Sequence, residues 1–434
     1  MKALLLLAGQ SKRFWPLTEK TLFPICGTTL LQIQIERLRG AGITDITLIG
    51  GSHNLPQAGA LFPELRTIEQ EDLSLGMRGA LLSALPQLKT GPVMIVGGND
   101  VIDAGGFQLL MKQAAIKGTD GVILAARVTR YFPGGYLTLK DNRVLSIVEK
   151  PEEGKEPSDL VTIVAHVHNN PADLLASLKA GKASAEDGYE QALDRLFREK
   201  KYLAAPYEGP WLPVKYPWHL LPLLQHLLTQ MQRSIHPSVE IHPSAVIEGN
   251  VTIGEGSRVM AHATVVGPCV ISKRCVIANN ALVRQASIGD DCVVGFGSEV
   301  KSSVLAGKVW THMTYIGDSI IGRNVSFGGG SLTGNLRLDE GIVRSVVQGR
   351  EMETGLTKFG TAIGDGCRLG IHTSINPGMK IGAGSFIGSA SLISEDIPDR
   401  SFMMMKEGKM DIRPNRSPPP DVSSRTTFRS QPQA

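Results

Sequence analysis

Ile235-His-Pro-Ser-Val-Glu-Ile241-His-Pro-Ser-Ala-Val-Ile247-Glu-Gly-Asn-Val-Thr-Ile253 opens a run in which an aliphatic side chain returns at every sixth position. The series continues through Val259, Val265, Ile271, Ile277 and Val283, slips by one residue at Ile288, and goes on at Val294 and Val300. It resumes as Ile363, Leu369, Ile375, Ile381, Ile387 and Ile393. A period of six fits neither a helix nor the alternation of a half-buried strand. It is the pattern of a parallel β-helix whose triangular coil sends one aliphatic side chain inward from each side. Glycines and small residues between the aliphatics, as in Ile253-Gly-Glu-Gly-Ser and Ile381-Gly-Ala-Gly-Ser, suit tight corners. Residues 234–406 are therefore expected to form a β-helix of hexapeptide repeats. Residues 336–359 are polar and charged and break the period; long insertions in a solenoid sit on one side and often serve a binding site.

Upstream the pattern changes. Residues 1–215 alternate short apolar runs, at 3–7, 46–49, 92–96 and 121–126, with amphipathic stretches such as Leu30–Gly40 and 107–117. This predicts an α/β domain on a mostly parallel sheet. Residues 216–233 form an apolar stretch expected to be a linker helix despite Pro222. The end, 407–434, is expected to be a disordered tail, because from Asp411 onward it is rich in Pro, Ser and Arg. The 434 residues carry a net charge of only +4, too weak to suggest a nucleic-acid partner. No run of about 18 apolar residues offers a membrane span, and the N-terminal 2–8 run passes straight into a glycine motif rather than a cleavage site. The cysteines, Cys26, Cys269, Cys275, Cys292 and Cys367, lack metal-ligand spacing, which suits reduced thiols and a cytoplasmic location.

After the first apolar run comes Ala8-Gly9-Gln10-Ser11-Lys12-Arg13, then Lys20 and Leu22-Phe23-Pro24-Ile25-Cys26-Gly27. A glycine loop after a strand can wrap phosphates with backbone N–H groups. The ordered set resembles the signature of sugar-1-phosphate nucleotidylyltransferases, L-A-A-G-x-G-T-R followed by P-K-x-L-x-P-V-x-G. Three further segments extend the resemblance. Leu75-Gly76 is similar to the family's base-contacting segment, Asp100 stands at its Mg²⁺-binding aspartate, and Val148-Glu149-Lys150-Pro151 is similar to V-E-K-P. The resemblance implies an α/β Rossmann-like (GT-A-like) domain. In it Gly9, Ser11, Lys12 and Gly76 would hold the nucleotide, Arg13 and Lys20 would act catalytically on the triphosphate, Asp100 would bind Mg²⁺, and Glu149 and Lys150 would meet the sugar phosphate. Ser11 and Lys12 stand where the family has glycine and threonine. In Trp211-Leu-Pro213-Val-Lys215, proline replaces the family's second metal carboxylate.

Inside the hexapeptide region lies His312-Met-Thr-Tyr315-Ile-Gly-Asp and, further on, Gly328-Gly-Gly-Ser-Leu-Thr-Gly-Asn335. This resembles the acetyltransferase motif of the bifunctional members of the same family, nearest the archaeal-type branch, and implies a left-handed β-helix that trimerises. His312 would be the general base that deprotonates an amino sugar as it attacks a thioester, a task suited to imidazole. The resemblance places Arg284, Glu299, Lys301, Tyr315, Asn324, Asn335 and Lys358 around the sugar phosphate, and Gly329 beside the acyl donor, acetyl-CoA. The whole chain thus reads as a two-site enzyme making a nucleotide-activated N-acetylhexosamine, with small-molecule substrates. Two alternatives stand beside it: an acetyltransferase with a degenerate first domain, or a pyrophosphorylase with a non-catalytic β-helix.

Overall fold

The computed structural model describes residues 1–88, 91–181 and 187–420, and the chain divides into two compact units. The first comprises Met1–Gln10 and Leu30–Pro213; the second comprises Ser11–Thr29 and everything from Val214 onward. The 11–29 excursion groups with the second unit.

The first unit is built on a nine-stranded sheet in the order 66–69, 45–50, 2–6, 93–97, 160–168, 121–127, 202–206, 143–149, 135–140. Lys2–Leu6 runs parallel to both Asp45–Gly50 and Val93–Gly97. Its continuous apolar run reflects burial on both sides, as a central parallel strand requires. The far half is mixed, because Leu160–His168 pairs antiparallel with both of its neighbours. Helices occupy Leu30–Gly40 and Ala104–Ala114, the second a few residues ahead of its expected start because Asp103 caps it through the Gly106 N–H at 3.1 Å. The backbone of the first strand also pairs past its end, where Gly98 N donates to Leu6 O at 3.0 Å. The loops bearing Gly9 and Asp100 therefore leave the carboxyl ends of adjacent parallel strands, the usual place for a ligand in an open α/β sheet.

His166 and His168 belong to this core. His166 meets Thr162 Oγ1 at 2.7 Å and the Tyr189 hydroxyl at 2.8 Å, and His168 meets the Tyr202 hydroxyl at 2.7 Å. Burial pushes both imidazoles down to about 3, so they are neutral structural groups.

In the second unit, short parallel strands stack into three sides of a coil. On the first side the inward row runs Ile235, Ile253, Ile271, Ile288, Leu305, Ile321, Ile363, Ile381. On the third it runs Ile247, Val265, Val283, Val300, Ile316, and later Ile375 and Ile393. On the second it begins Ile241, Val259, Ile277, Val294 and later reaches Phe327, Leu369, Ile387 and Met403. Apart from Ile241, which is exposed in the first coil, these side chains form one continuous apolar core. The one-residue slip at Ile288 is absorbed at a corner without breaking this register. Leu220–Thr229 is a helix; Pro222 lies in its first turn, where the missing N–H has no intrahelical acceptor to lose.

The insertion closes on itself: Leu336 bridges Lys358, and Arg344–Val347 pairs antiparallel with Arg350–Glu353. The expected disordered tail begins too early. Ser401–Lys406 and Lys409–Pro414 form a hairpin, turned by Glu407 and Gly408 at φ 52° and 75°, and Met410 and Ile412 pack on the core. Those two apolar residues are enough to hold a strand that a count of polar residues hides. The remaining tail, 421–434, lies outside the described residues. The five cysteines are buried and form no disulfide among the described residues, and no described helix is long and apolar enough to cross a membrane.

Candidate functional site

In the first unit, Asp100 and Pro213 are direct partners in a short antiparallel ladder with Leu212 and Val101. The Trp211 indole N–H donates to Asp100 Oδ1 at 2.9 Å, and Gln34 Nε2 donates to the Asp100 carbonyl at 2.5 Å. Asp100 thus points one carboxylate oxygen at an indole where a second carboxylate is missing. No cluster of three or more His, Cys, Asp or Glu side chains able to hold a metal occurs among the described residues. A single carboxylate fits Mg²⁺ only if phosphate oxygens and water supply the other ligands, which is the common mode for that ion.

The remaining first-unit residues take these places. Gly9 is exposed in the loop after the first strand, its carbonyl 3.4 Å from His53 Nε2. Gly76 adopts φ 52°, ψ −134°, a conformation open to glycine alone, where a short 3-10 turn passes into the helix Gly76–Ala84. Arg78, two residues on, is turned inward: Nε donates to Leu178 O at 3.0 Å and Nη2 to Gly181 O at 2.7 Å, capping the end of helix Pro171–Ala180. Lys150 follows Glu149 at the end of its strand, with Nζ 3.4 Å from Glu149 Oε1. Sequence reasoning missed Glu190, at the start of helix Gly188–Glu199. Its carboxyl is pushed up to about 7 by burial first and by Glu149 next, with Lys150 opposing. Only the packing of that helix on the strand Arg143–Glu149 brings it there.

Ser11, Lys12, Arg13 and Lys20 lie in the segment that groups with the second unit. Ser11 takes the left-handed conformation, φ 50°, at a position where the family pattern has glycine, and its Oγ donates to Glu19 Oε2 at 3.3 Å. Lys12 and Arg13 are exposed, and Arg13 lies 6.0 Å from the Tyr216 ring centroid. Lys20 is buried rather than solvated.

The second candidate site occupies the third side of the coil. Arg284 and Lys301 are cross-strand partners, as are Glu299 and Tyr315. Two cations placed opposite each other repel, and carboxylates relieve them: Arg284 donates Nε and Nη2 to Glu299 Oε1 at 2.9 and 2.5 Å, and Lys301 Nζ lies 3.2 Å from Asp318 Oδ2. Asn335 joins both halves, donating to Asp318 Oδ2 at 2.5 Å and to the Tyr315 hydroxyl at 3.2 Å. Burial raises the Tyr315 hydroxyl, with Glu299 and Asp318 adding to the effect. A Cβ on Gly317 would sit 2.4 Å from that hydroxyl, so glycine is what lets the ring lie there.

Lys358 is carried to the same place by its bridge to Leu336 and by the Phe359 N–H donating to Asn335 O at 3.0 Å. With Asp318, Ser302 and the helix Leu220–Thr229 it lines a cavity of about 240 Å³. His312 stands at the opposite edge of this side, exposed, three residues before Tyr315. No hydrogen bond of its side chain occurs among the described residues. Gly329 is the corner residue one coil on, close to the His312 carbonyl. Asn324 lies at a different corner, where its Oδ1 accepts from Arg368 Nη2 at 2.9 Å, and it does not join this group. Asp318, by contrast, is the hub that motif reading left unassigned.

The family model for nucleotidyl transferase matches residues 2–214, and that for the GMPPB C-terminal domain matches residues 229–327. A protein of Sulfurisphaera tokodaii described as "Bifunctional sugar-1-phosphate nucleotidylyltransferase/acetyltransferase" is 30% identical over 410 residues, covering 92% of this chain and 98% of that one. Proteins described as "Bifunctional protein GlmU" from Methanococcus vannielii and Methanocaldococcus jannaschii are each 29% identical, over 420 and 417 residues, covering 94% of this chain and 98% of theirs.

Proposed function

The chain belongs to the bifunctional sugar-1-phosphate nucleotidylyltransferase/acetyltransferase family, and from that premise we propose that its two units make a nucleotide-activated N-acetylhexosamine. The observation that carries the reading is the third side of the coil, with an exposed imidazole at one edge and a network of Arg284, Lys301, Asp318, Asn335 and Lys358 at the other. An amino-sugar-1-phosphate laid across it would exchange the Glu299 and Asp318 partners of Arg284 and Lys301 for its phosphate oxygens. Tyr315 and Asn335 would orient the sugar. His312 would take the proton from the amine as its nitrogen attacks the thioester carbonyl of acetyl-CoA, whose chain would pass Gly329.

In the nucleotidyl-transfer half, a phosphate oxygen of the sugar-1-phosphate attacks the α-phosphorus of an NTP and pyrophosphate leaves. Gly9 and Gly76 offer backbone to the nucleotide, Arg13 and Lys20 positive charge, and Glu149 and Lys150 the sugar-phosphate end. Mg²⁺, held by Asp100 together with phosphate oxygens, supplies charge neutralisation on the triphosphate when bound. The second unit is read as a left-handed β-helix of hexapeptide repeats that assembles as a trimer, and the protein as a cytoplasmic enzyme.

The test is to measure both half-reactions on one preparation: pyrophosphate release across a panel of NTPs and sugar-1-phosphates, and acetylation of an amino-sugar-1-phosphate from acetyl-CoA. His312→Ala should lower acetyl transfer by about 10²- to 10⁴-fold and leave pyrophosphate release unchanged. Equal acetylation by the variant would exclude His312 as the base. Acetylation without pyrophosphate release from any pair would make the first unit a degenerate appendage.

A further inference from the structure

The outward row of the first side of the coil holds the segment Ser11–Thr29, which belongs to the same unit. Its residues run, coil by coil, Ser287, Val304, Ile320, Ala362, Lys380. All five are buried although their side chains point away from the apolar core. The two ends of the row hold the loop Ser11–Thr29. At one end Pro24–Ile25 and Thr28–Thr29 form a two-residue hairpin whose turn, Cys26 and Gly27, has φ 51° and 74°. The Cys26 N–H at its tip donates to Ser287 Oγ at 2.7 Å. At the other end the Trp15 indole N–H donates to Asp399 Oδ1 at 3.0 Å, and its ring lies 4.9 Å from Lys380 Nζ. Lys380 is 3% exposed. A lysine so buried needs partners, and it finds Asp396 Oδ2 at 3.1 Å, the Val346 carbonyl and the Trp15 face. With strands spaced about 4.8 Å, the anchors stand about 19 Å apart. Between them the loop carries Lys20 and Phe23, whose ring packs edge-to-face on Phe14 just ahead of Trp15.

We propose that Ser287 and the Lys380–Asp396–Asp399 group are positioning residues for nucleotidyl transfer: the β-helix fixes the shape of the loop that presents Lys12, Arg13 and Lys20 to the triphosphate. The inference rests on the nucleotidyl-transfer reading above. It gives the β-helix a second task, independent of its own acetyl-transfer side, because the anchors lie on the first side and the acetyl-transfer residues on the third.

The experiment uses the full chain and three variants: Ser287→Ala, Trp15→Ala and Trp15→Phe. Ser287→Ala leaves the Cys26 N–H without an acceptor, and Trp15→Phe keeps a ring over Lys380 while losing the donor to Asp399. The KM for the NTP should rise about tenfold in Ser287→Ala and Trp15→Ala, and less in Trp15→Phe. The kcat and the acetyl-transfer rate should stay near wild type, which a general loss of folding would not allow. Hydrogen exchange of peptides covering residues 21–29 should accelerate in Ser287→Ala. Unchanged exchange there overturns the anchor. Faster exchange with an unchanged KM overturns its positioning role. A wild-type chain that releases no pyrophosphate with any substrate pair instead defeats the nucleotidyl-transfer reading, and the role given to the anchors falls with it.

Discussion

Asp100 and Pro213 face each other across an antiparallel bridge, so a carboxylate at position 213 would lie beside that of Asp100, at the usual cross-strand spacing of about 5 Å. Pro213 accepts no metal, and Trp211 takes up one oxygen of Asp100 in its place. Pro213→Asp should therefore strengthen Mg²⁺ binding and lower the Mg²⁺ concentration that half-saturates pyrophosphate release, by about tenfold. A metal titration of the two proteins at fixed NTP checks this, and an unchanged midpoint would mean that phosphate oxygens alone determine the affinity. The absence of a second carboxylate was legible from the Trp211-Leu-Pro213 segment. That Trp211 itself engages Asp100 was not, because the contact is made by two strands more than a hundred residues apart in sequence. Arg78 gives the same lesson. In sequence it disturbs the base-contacting segment, while in space it caps the helix Pro171–Ala180, whose approach no local pattern encodes.

Among the elements, the coils of the second unit were readable where the six-residue series runs, over 235–300 and 363–393, because each inward position has a single chemical requirement that repeats; Leu305, Ile316, Ile321 and Phe327 fill inward positions outside that series. The strand Lys409–Pro414 was not, since its apolar support comes from two side chains, Met410 and Ile412, in a polar run. The insertion stands between these cases: its limits were marked by the broken period, but its internal hairpin and the return of Lys358 beside Asn335 depend on the bridge to Leu336. That bridge brings the base of the insertion, rather than its tip, beside Asn335. Lys358 lines the cavity with Asp318, where its ammonium can add a third cation to Arg284 and Lys301. Lys358→Ala should raise the KM for the amino-sugar-1-phosphate by about tenfold with a smaller change in kcat, and leave pyrophosphate release untouched. A variant with unchanged KM would remove Lys358 from the phosphate-binding set.

On the scale of the whole molecule, the third side of the coil, where acetyl transfer is proposed, has a feature that one chain leaves open. His312 makes no side-chain hydrogen bond among the described residues, and next to it an apolar ridge runs along one corner of the coil. Phe296 is 56% exposed, Met313 61% and Ile371 53%. Backbone bonds tie the ridge together, Met313 N to Phe296 O at 3.1 Å and, one coil on, Gly330 N to Met313 O at 3.2 Å. Large apolar side chains in a row on a rigid surface mark an interaction site, and in the trimer proposed above the ridge of one chain would meet a neighbour. The trimer would then place the neighbour's surface against His312 and complete the acyl-donor side of each site. Phe296→Glu with Met313→Glu puts charges into that contact, away from the aliphatic core and from the phosphate-binding network. The wild-type chain should sediment at three times its chain mass and the double variant as a monomer. Acetyl transfer by the variant should fall about a hundredfold while pyrophosphate release persists, because in the proposed trimer only acetyl transfer would use the neighbour's surface. A monomeric wild type with full acetyl-transfer activity would show instead that one chain's third side is sufficient and that the ridge serves some other contact.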